Sequence, residues 1–563
     1  MARLSPTGKS EMSGSGGRSW NLGLDWFDLV LILLTAGLSW AVLGPLIVGG
    51  QWISGGDGLF PVDQLQYLAW IRQAADHGLI GNRYDLVPDT RVFLHPGFLI
   101  SGLAVRWFGL PLHYSNAFIW KPAAILIVFF GSRQYARRLL PAGWPARTAT
   151  VLAIFSLAPM SVLLGWMGAG AKARYNLDFI TSEMWPGQQL LGYELAACAI
   201  FSVPLILLGI ERSRSNRSYG ILAACSAAAL LVSWLQPWQG AELLLIIVVV
   251  ELWRWLRERE RPWLPLGVVV LAGSLPAVYY AVLERTDPSW KLYGATNRTH
   301  SDPLWDWSFW LVVVCLLPLG LPALLSLRKR AVDWQETAVR VWPLAVLVVY
   351  LQPFGTFPFH SVQGLSVPLA VMAVKYFSDS KRGPLWLSRH SWLWVVPAVL
   401  VMTVPGTVHR LGLAKTNVEN KVFPYVLTSG ERAALGWLNE NPAPGAVLAD
   451  RYGGLLVPPY AGRESYVGPR VLTPDFERRS TSMNLLLLRF MNPNQAQAFV
   501  RSTGTRFVFE ACGAWKGGAP DLDRLLGALV ARRLDFGCAR VYVLKADARS
   551  DRVSRSVGGP GGY

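Results

Sequence analysis

Charge is scarce in this chain, and acid scarcer than base. Only 16% of the 563 residues are Asp, Glu, Lys or Arg, and 36 acidic residues stand against 53 basic ones for a formal net charge of +17. Between Leu29 and Val48 there is no charged residue at all. So little charge beside 52% hydrophobic residues excludes a set of ordinary soluble domains. Apolar runs of about 20 residues match the hydrocarbon thickness of a bilayer. Cysteine is scarce too: there are five, none spaced as CxxC, which excludes a zinc framework or a disulfide scaffold. Cys198, Cys225 and Cys315 lie within apolar runs and read as packing residues. The basic excess falls in short connectors between apolar runs, as cytoplasmic loops of membrane proteins do, and calls for no nucleic-acid partner.

What is present is a succession of apolar segments, with a mean hydropathy of +0.31 and 26 tryptophans. The first segment is too long, and lacks the small-residue cleavage site, to be a removable signal. Eleven spans are predicted: Phe27–Val48, Ser115–Tyr135, Thr148–Gly168, Leu191–Ile210, Gly220–Trp234, Gln239–Trp255, Leu264–Leu283, Trp307–Leu325, Ala338–Leu351, Val362–Phe377 and Trp392–Val408. Alternate connectors carry "RQYARR", "ERSRSNR", "RWLRERER", "RKR" and "SDSKRG", which places them and the N-terminus in the cytoplasm. An odd number of spans then puts the C-terminal region outside. The predicted organisation is a disordered tail (1–24), a transmembrane domain (25–412) with a long first outer loop (49–114), an extracytoplasmic α/β domain (413–548) and a second disordered tail (549–563).

The first outer loop contains "PVDQLQYLAWIRQAADHG", an amphipathic helix opening at Pro61, and "HPGFLISGLAVRWFG", a second helix or half-span. Both are apolar on one side and too short to cross, so both are expected in the interface plane. Beyond Lys415 the short runs "AVLAD", "RFVFE" and "ARVYVLK" read as strands between helices. If the last two are antiparallel neighbours, Cys512 and Cys538 meet at one end and a disulfide persists outside the cytoplasm. Two reduced thiols are the alternative.

The middles of the predicted spans lack charge, and Lys121, Glu194 and Glu242 fall near span ends on the outer side. An ion-coupled transporter wants ionisable groups near the midplane. Chemistry displaced toward the outer face suits an enzyme acting at the outer leaflet. Its polar candidates come from three places. The first loop offers Asp57, Asp63, Gln64, Tyr67, Arg72, Arg91 and His95. The second outer loop offers Lys172, Arg174, Asp178, Glu183, Trp185 and Gln188. The related turns "WLQPWQG" and "LQPFGTFPFHSVQG" add Gln236, Trp238, Gln239, His360 and Gln363. Each has a structural counter-reading. Asp63 complements a helix dipole, Asp57 begins an Asp-Gly turn, His95 and His360 satisfy loop backbone, the tryptophans form interfacial belts, and Lys172 and Arg174 face lipid headgroups.

A first span, an outer loop with an acidic residue and tyrosine early in a helix ("VDQLQYLAW"), many further spans and an external α/β region together resemble the GT-C superfamily of membrane glycosyltransferases. The resemblance covers most of the chain in architecture and little of it in motif, since this sequence has Asp57 and Asp63 six apart rather than a tight acidic pair. It implies a sugar donor on a polyprenyl-phosphate carrier, a glycan, lipid or protein acceptor, and inverting displacement at the outer face of a bacterial plasma membrane. Asp63 is the expected general base, with Asp57 the other candidate. Arg174, then Lys172, His95 and His360, would meet the leaving phosphate. Gln64, Tyr67, Glu183, Trp238, Gln239 and Gln363 would line the substrate. "FPFHSVQGLSVPLA" would close on the carrier phosphate, and "PYAGRESYVG" would face the cavity from the external domain. A metal would need Asp57, Asp63 and Glu183 to converge; the expectation is no metal and no cofactor. The rival readings are a transporter or flippase of lipid-linked sugars and a non-catalytic scaffold on the same fold.

Overall fold

A computed structural model describes residues 23–51, 54, 56–87, 90–157, 182–259, 261–298, 307–352, 357–379, 392–420, 422–513 and 521–545. Nearly all of both expected tails, and Lys172, Arg174 and Asp178, lie outside the described residues. Helices occur at each predicted span. The first run holds α1 (Trp26–Trp40) and α2 (Leu43–Val48). After α3 (Pro61–His77) and α4 (Pro96–Phe108) of the first long loop come α5 (Leu112–Leu139), α6 (Trp144–Phe155), the short α7 (Pro186–Leu190), α8 (Glu194–Asn216), α9 (Tyr219–Leu235) and α10 (Pro237–Trp253). Then follow α11 (Leu266–Thr286), α12 (Pro288–Arg298), α13 (Trp307–Ser326), α14 (Trp334–Leu351), a 3-10 turn (Pro358–Val362), α15 (Ser366–Asp379) and α16 (Trp392–Glu419). Among the described residues, α5, α8 and α11 are long and apolar enough to cross a membrane by length and composition. Leu29, Leu33 and Leu34 of α1, and Leu271, Leu275, Val278 and Val282 of α11, are exposed. Rows of exposed aliphatic side chains on helices fit an apolar solvent rather than water.

Helices α5 and α8 approach backbone to backbone. A Cβ built on Gly131 would sit 2.2 Å from the Phe201 carbonyl oxygen, so glycine permits the contact, as small residues do between membrane helices.

The C-terminal part carries a mixed four-stranded sheet in the order β1 (Val447–Leu448), β2 (Phe507–Glu510), β4 (Ala539–Leu544), β3 (Val530–Phe536). Only β1 and β2 are parallel. Successive residues of β2 and β4 alternate between faces, as pleated strands must. Phe507, Phe509 and Val541 join the main core shared with the membrane helices, while Val508, Tyr542 and Leu544 join a second core with Met483, Leu486 and Val500. Glu510 pairs with Arg540 across β2 and β4, and just beyond that pair Cys512 and Cys538 form a disulfide. Strand β3 is not among the predicted ones, because "VARRLDF" is an edge strand with two exposed or half-exposed arginines and no clean alternation.

The first-loop helix departs from expectation. Instead of being covered on one side only, α3 is buried over most of its circumference, including Gln64, Gln66 and Gln73. Its polar face meets protein rather than water. Gln73 bonds both N and O of Gly81, Gln64 donates to the Gly192 carbonyl, and Arg72 donates to the Pro459 carbonyl and Asn439. Buried polar groups are tolerated where each finds a partner, and hydropathy along a single segment does not carry that information. The "PYAGRESYVG" segment supplies several of these partners: Tyr460 donates to the Ser54 carbonyl, and Glu464 pairs with Arg83. The C-terminal part is thereby fastened to the first long loop.

Candidate functional site

Helix α3 starts at Pro61, whose missing N–H costs nothing at the first helical position. The chain enters it through Phe60 in the left-handed region (φ 52°), with no side-chain cap. That entry sets Asp63 in the first turn. The Tyr193 hydroxyl, immediately before α8, donates to Asp63 Oδ2 at 2.6 Å. Burial raises the Asp63 carboxyl above its ordinary range, opposed by the Tyr193 bond and the His360 charge and reinforced by Glu183. Asp63 therefore sits within electrostatic reach of both His360 and Glu183. Tyr67 lies one turn along α3, its ring against Phe98 and Tyr193. Tyr293 of α12 closes the same region. Its hydroxyl is pushed up to about 12 by burial and by Asp63.

Beside this lies a second network. Glu183 Oε2 accepts from Gln363 Nε2 at 2.5 Å and meets His360 Nδ1 at 3.1 Å. Gln236 Nε2 donates to Gln363 Oε1 at 2.9 Å, and Gln239 Nε2 donates to the His360 carbonyl at 2.9 Å. The Trp238 ring stands edge-on to His360 with centroids 4.6 Å apart. The two turns related in sequence thus bind each other, through Gln236 and Gln239 of the first and Gln363 and the His360 carbonyl of the second. Gln188 reaches Glu183 from α7 and accepts from Arg410 Nη2 at 3.5 Å. The Arg410 guanidinium also covers the Phe60 ring at 5.5 Å.

Asp57 and His95 make their hydrogen bonds outside these two networks. Asp57 Oδ2 is bound by Lys121 Nζ at 2.8 Å, and the same ammonium takes Glu194 at 2.9 Å. Burial raises the Asp57 carboxyl to about 6, against the pull of Lys121. The six-residue spacing is the reason: Asp57 precedes the helix entry and points to the α5 side, whereas Asp63 is carried forward by the first turn. Lys121 and Glu194, expected at span ends, are fully enclosed in this ion cluster, and Glu242 is buried as well. His95 caps α4, accepting from the Phe98 N–H at 3.4 Å while it bonds the Leu235 backbone. Burial lowers its imidazole to about 3. Gln64 is spent on Gly192. No group of three or more His, Cys, Asp or Glu side chains among the described residues converges as a metal site.

Tyr193, Tyr293 and Arg410 are not among the residues that the sequence singles out. For Arg410 a signal is available: it is the first cation after the long apolar stretch of α16. Tyr193 and Tyr293 are recognised only when the loops close.

No protein-family model matches the chain, and no curated protein matches it. Solved structures do. The oligosaccharyltransferase of Archaeoglobus fulgidus, tethered to an acceptor peptide with an NVT sequon, aligns at a TM-score of 0.52 with 12% identity over 87% of this chain and 69% of that one. ArnT of Cupriavidus metallidurans bound to undecaprenyl phosphate aligns at 0.49 with 13% identity over 93% and 98%. The mycobacterial arabinofuranosyltransferase AftD aligns at 0.48 with 12% identity over 93% and 42%. The chain thus shares its overall fold with the archaeal oligosaccharyltransferase.

Proposed function

We propose that the protein transfers a sugar from a polyprenyl-phosphate carrier to a glycan, lipid or protein acceptor. The placement of Asp63 carries this reading: a carboxylate on the first-loop helix, oriented by Tyr193 and set beside the Glu183–His360–Gln363 network. The acceptor hydroxyl attacks the anomeric carbon as the bond from that carbon to the phosphate oxygen breaks. The phosphate leaves with the electron pair, the configuration inverts, and the hydroxyl proton passes to Asp63. A carboxyl raised by burial is a stronger base, and a positioned base contributes about 10²–10⁴-fold. Developing charge on the phosphate calls for cations and hydrogen-bond donors. Arg174 and Lys172 from the second outer loop, His360, and Arg410 are the residues assigned to it. Trp238, Gln239 and Gln363 line the sugar side with Tyr67.

This reading includes eleven spans, a cytoplasmic N-terminus in a bacterial plasma membrane, and an extracytoplasmic C-terminal α/β domain that orients the acceptor. The Cys512–Cys538 disulfide supports that side for the domain, since such bonds persist in oxidising compartments. The deciding experiment is Asp63→Asn in purified protein supplied with undecaprenyl-phosphate sugars. Loss of transfer with unchanged melting supports the base, and unchanged transfer removes it. A flippase would instead move the carrier across the bilayer with its sugar bond intact.

A further inference from the structure

Lys121 is the tenth residue of α5 and is fully buried, with Nζ within 2.9 Å of four acceptors: the Ser39 and Leu190 carbonyls, Asp57 and Glu194. Both carbonyls belong to the last turns of helices, α1 and α7, where backbone acceptors lack intrahelical partners. The two carboxylates belong to the segments that build the site. Asp57 stands six residues before Asp63, and Glu194 directly follows Tyr193. Gln64, the neighbour of Asp63, binds Gly192 and so ties the same segments a second time. One ammonium with two carboxylates in a dry interior is a poor source of stability, and buried ion groups of this kind find their best-attested use in fixing one arrangement.

We infer that Lys121 is a positioning residue for the Asp63–Tyr193 pair. It holds the entry to α3 and the start of α8 to a single point on α5, and so sets the direction in which Tyr193 meets Asp63. It touches no reacting atom. The consequence for turnover rests on the proposed role of Asp63; the consequence for geometry does not.

Lys121→Met alone strands two buried carboxylates and is liable to misfold, so the informative variant is Lys121→Met/Asp57→Asn/Glu194→Gln, which removes all three charges together. Two measurements are made on the full chain in nanodiscs. In a cryo-EM map of the triple variant the Tyr193 hydroxyl is expected to leave hydrogen-bond distance of Asp63. With a panel of undecaprenyl-phosphate pentoses and hexoses, kcat is expected to fall by at least about tenfold, since a displacement near 1 Å is enough for that, with KM for the donor within about twofold and melting unchanged. A Tyr193 hydroxyl still bonded to Asp63 overturns the inference; an unchanged kcat in a variant whose Tyr193 has moved away overturns its consequence for turnover and leaves the positioning standing. Asp63→Asn run alongside separates the two claims. If it transfers sugar as the wild type does, the reading of the base fails, while the map still decides the positioning.

Discussion

The Tyr193 hydroxyl reaches Asp63 at 2.6 Å across 130 positions of sequence. This single bond joins the first long loop to the start of α8 and gives the candidate base its orientation. Because the hydroxyl donates, it stabilises the carboxylate and lowers the Asp63 pKa. Tyr193→Phe keeps the ring and removes the donor, so the carboxyl rises further. The acidic limb of the pH profile of kcat/KM should therefore move to higher pH, with a loss of about 10- to 100-fold in rate at neutral pH, the size of one charged-group hydrogen bond at about 1.5–3 kcal/mol. An unmoved acidic limb would show that the limb belongs to another group.

His95 makes a different pH prediction. Its imidazole is lowered by burial to about 3, against about 6.5 in an unfolded chain. Between those values the unfolded state binds a proton that the native state refuses, so stability rises with pH and is lost on acidification below about 6.5. At pH 5 the loss from this residue is about 2 kcal/mol. His95→Asn preserves a capping side chain without the titration. The wild type should lose melting temperature between pH 7 and 5 more steeply than His95→Asn, and parallel curves would rule out His95 as the source.

The Cys512–Cys538 bond closes a loop with a sequence separation of 26. A loop of that length constrains the unfolded chain by about 3–4 kcal/mol. Cys512→Ser/Cys538→Ser should leave the membrane helices in place but speed proteolysis within residues 429–545. Limited trypsin digestion with and without reductant tests this, and equal digestion of both forms would show that the bond adds nothing.

Much of this architecture is legible in the sequence, and the exceptions have physical causes. Long apolar runs announce their helices because each residue reports its own environment. The β2–β4 pairing is readable from "RFVFE" and "ARVYVLK", and with it the meeting of Cys512 and Cys538. Asp63, Glu183, His360, Gln239 and Gln363 can be named from loop position and residue type, and the fold gathers them. The sequence favours Asp63 over Asp57 as the base but does not show the partner that takes Asp57, Lys121, 64 positions away. The burial of α3 is equally hidden, since its polar face is covered by Gly192 and by the 459–464 segment. Partners that distant leave no local trace.

The contact of Gly58 with α16 bears on the same loop. Gly58 has φ +74°, and a Cβ there would fall 2.3 Å from the Ala414 carbonyl oxygen. Asn417 donates to the Gly58 carbonyl at 2.9 Å, so loop and helix are locked at van der Waals distance. Gly58→Ala must therefore bear both the left-handed backbone, about 1–2 kcal/mol, and the displacement of α16, about 1–3 kcal/mol. Arg410 lies one turn before Ala414 on the same helix and stacks over Phe60, so the displacement also pulls the guanidinium away from the entry to α3. Gly58→Ala should lower the melting temperature and reduce transfer together. Asn417→Ala, which loses one hydrogen bond without a clash, should lower melting slightly and leave transfer near normal. If both variants reduce transfer equally, the coupling runs through the hydrogen bond rather than through the close packing at Gly58.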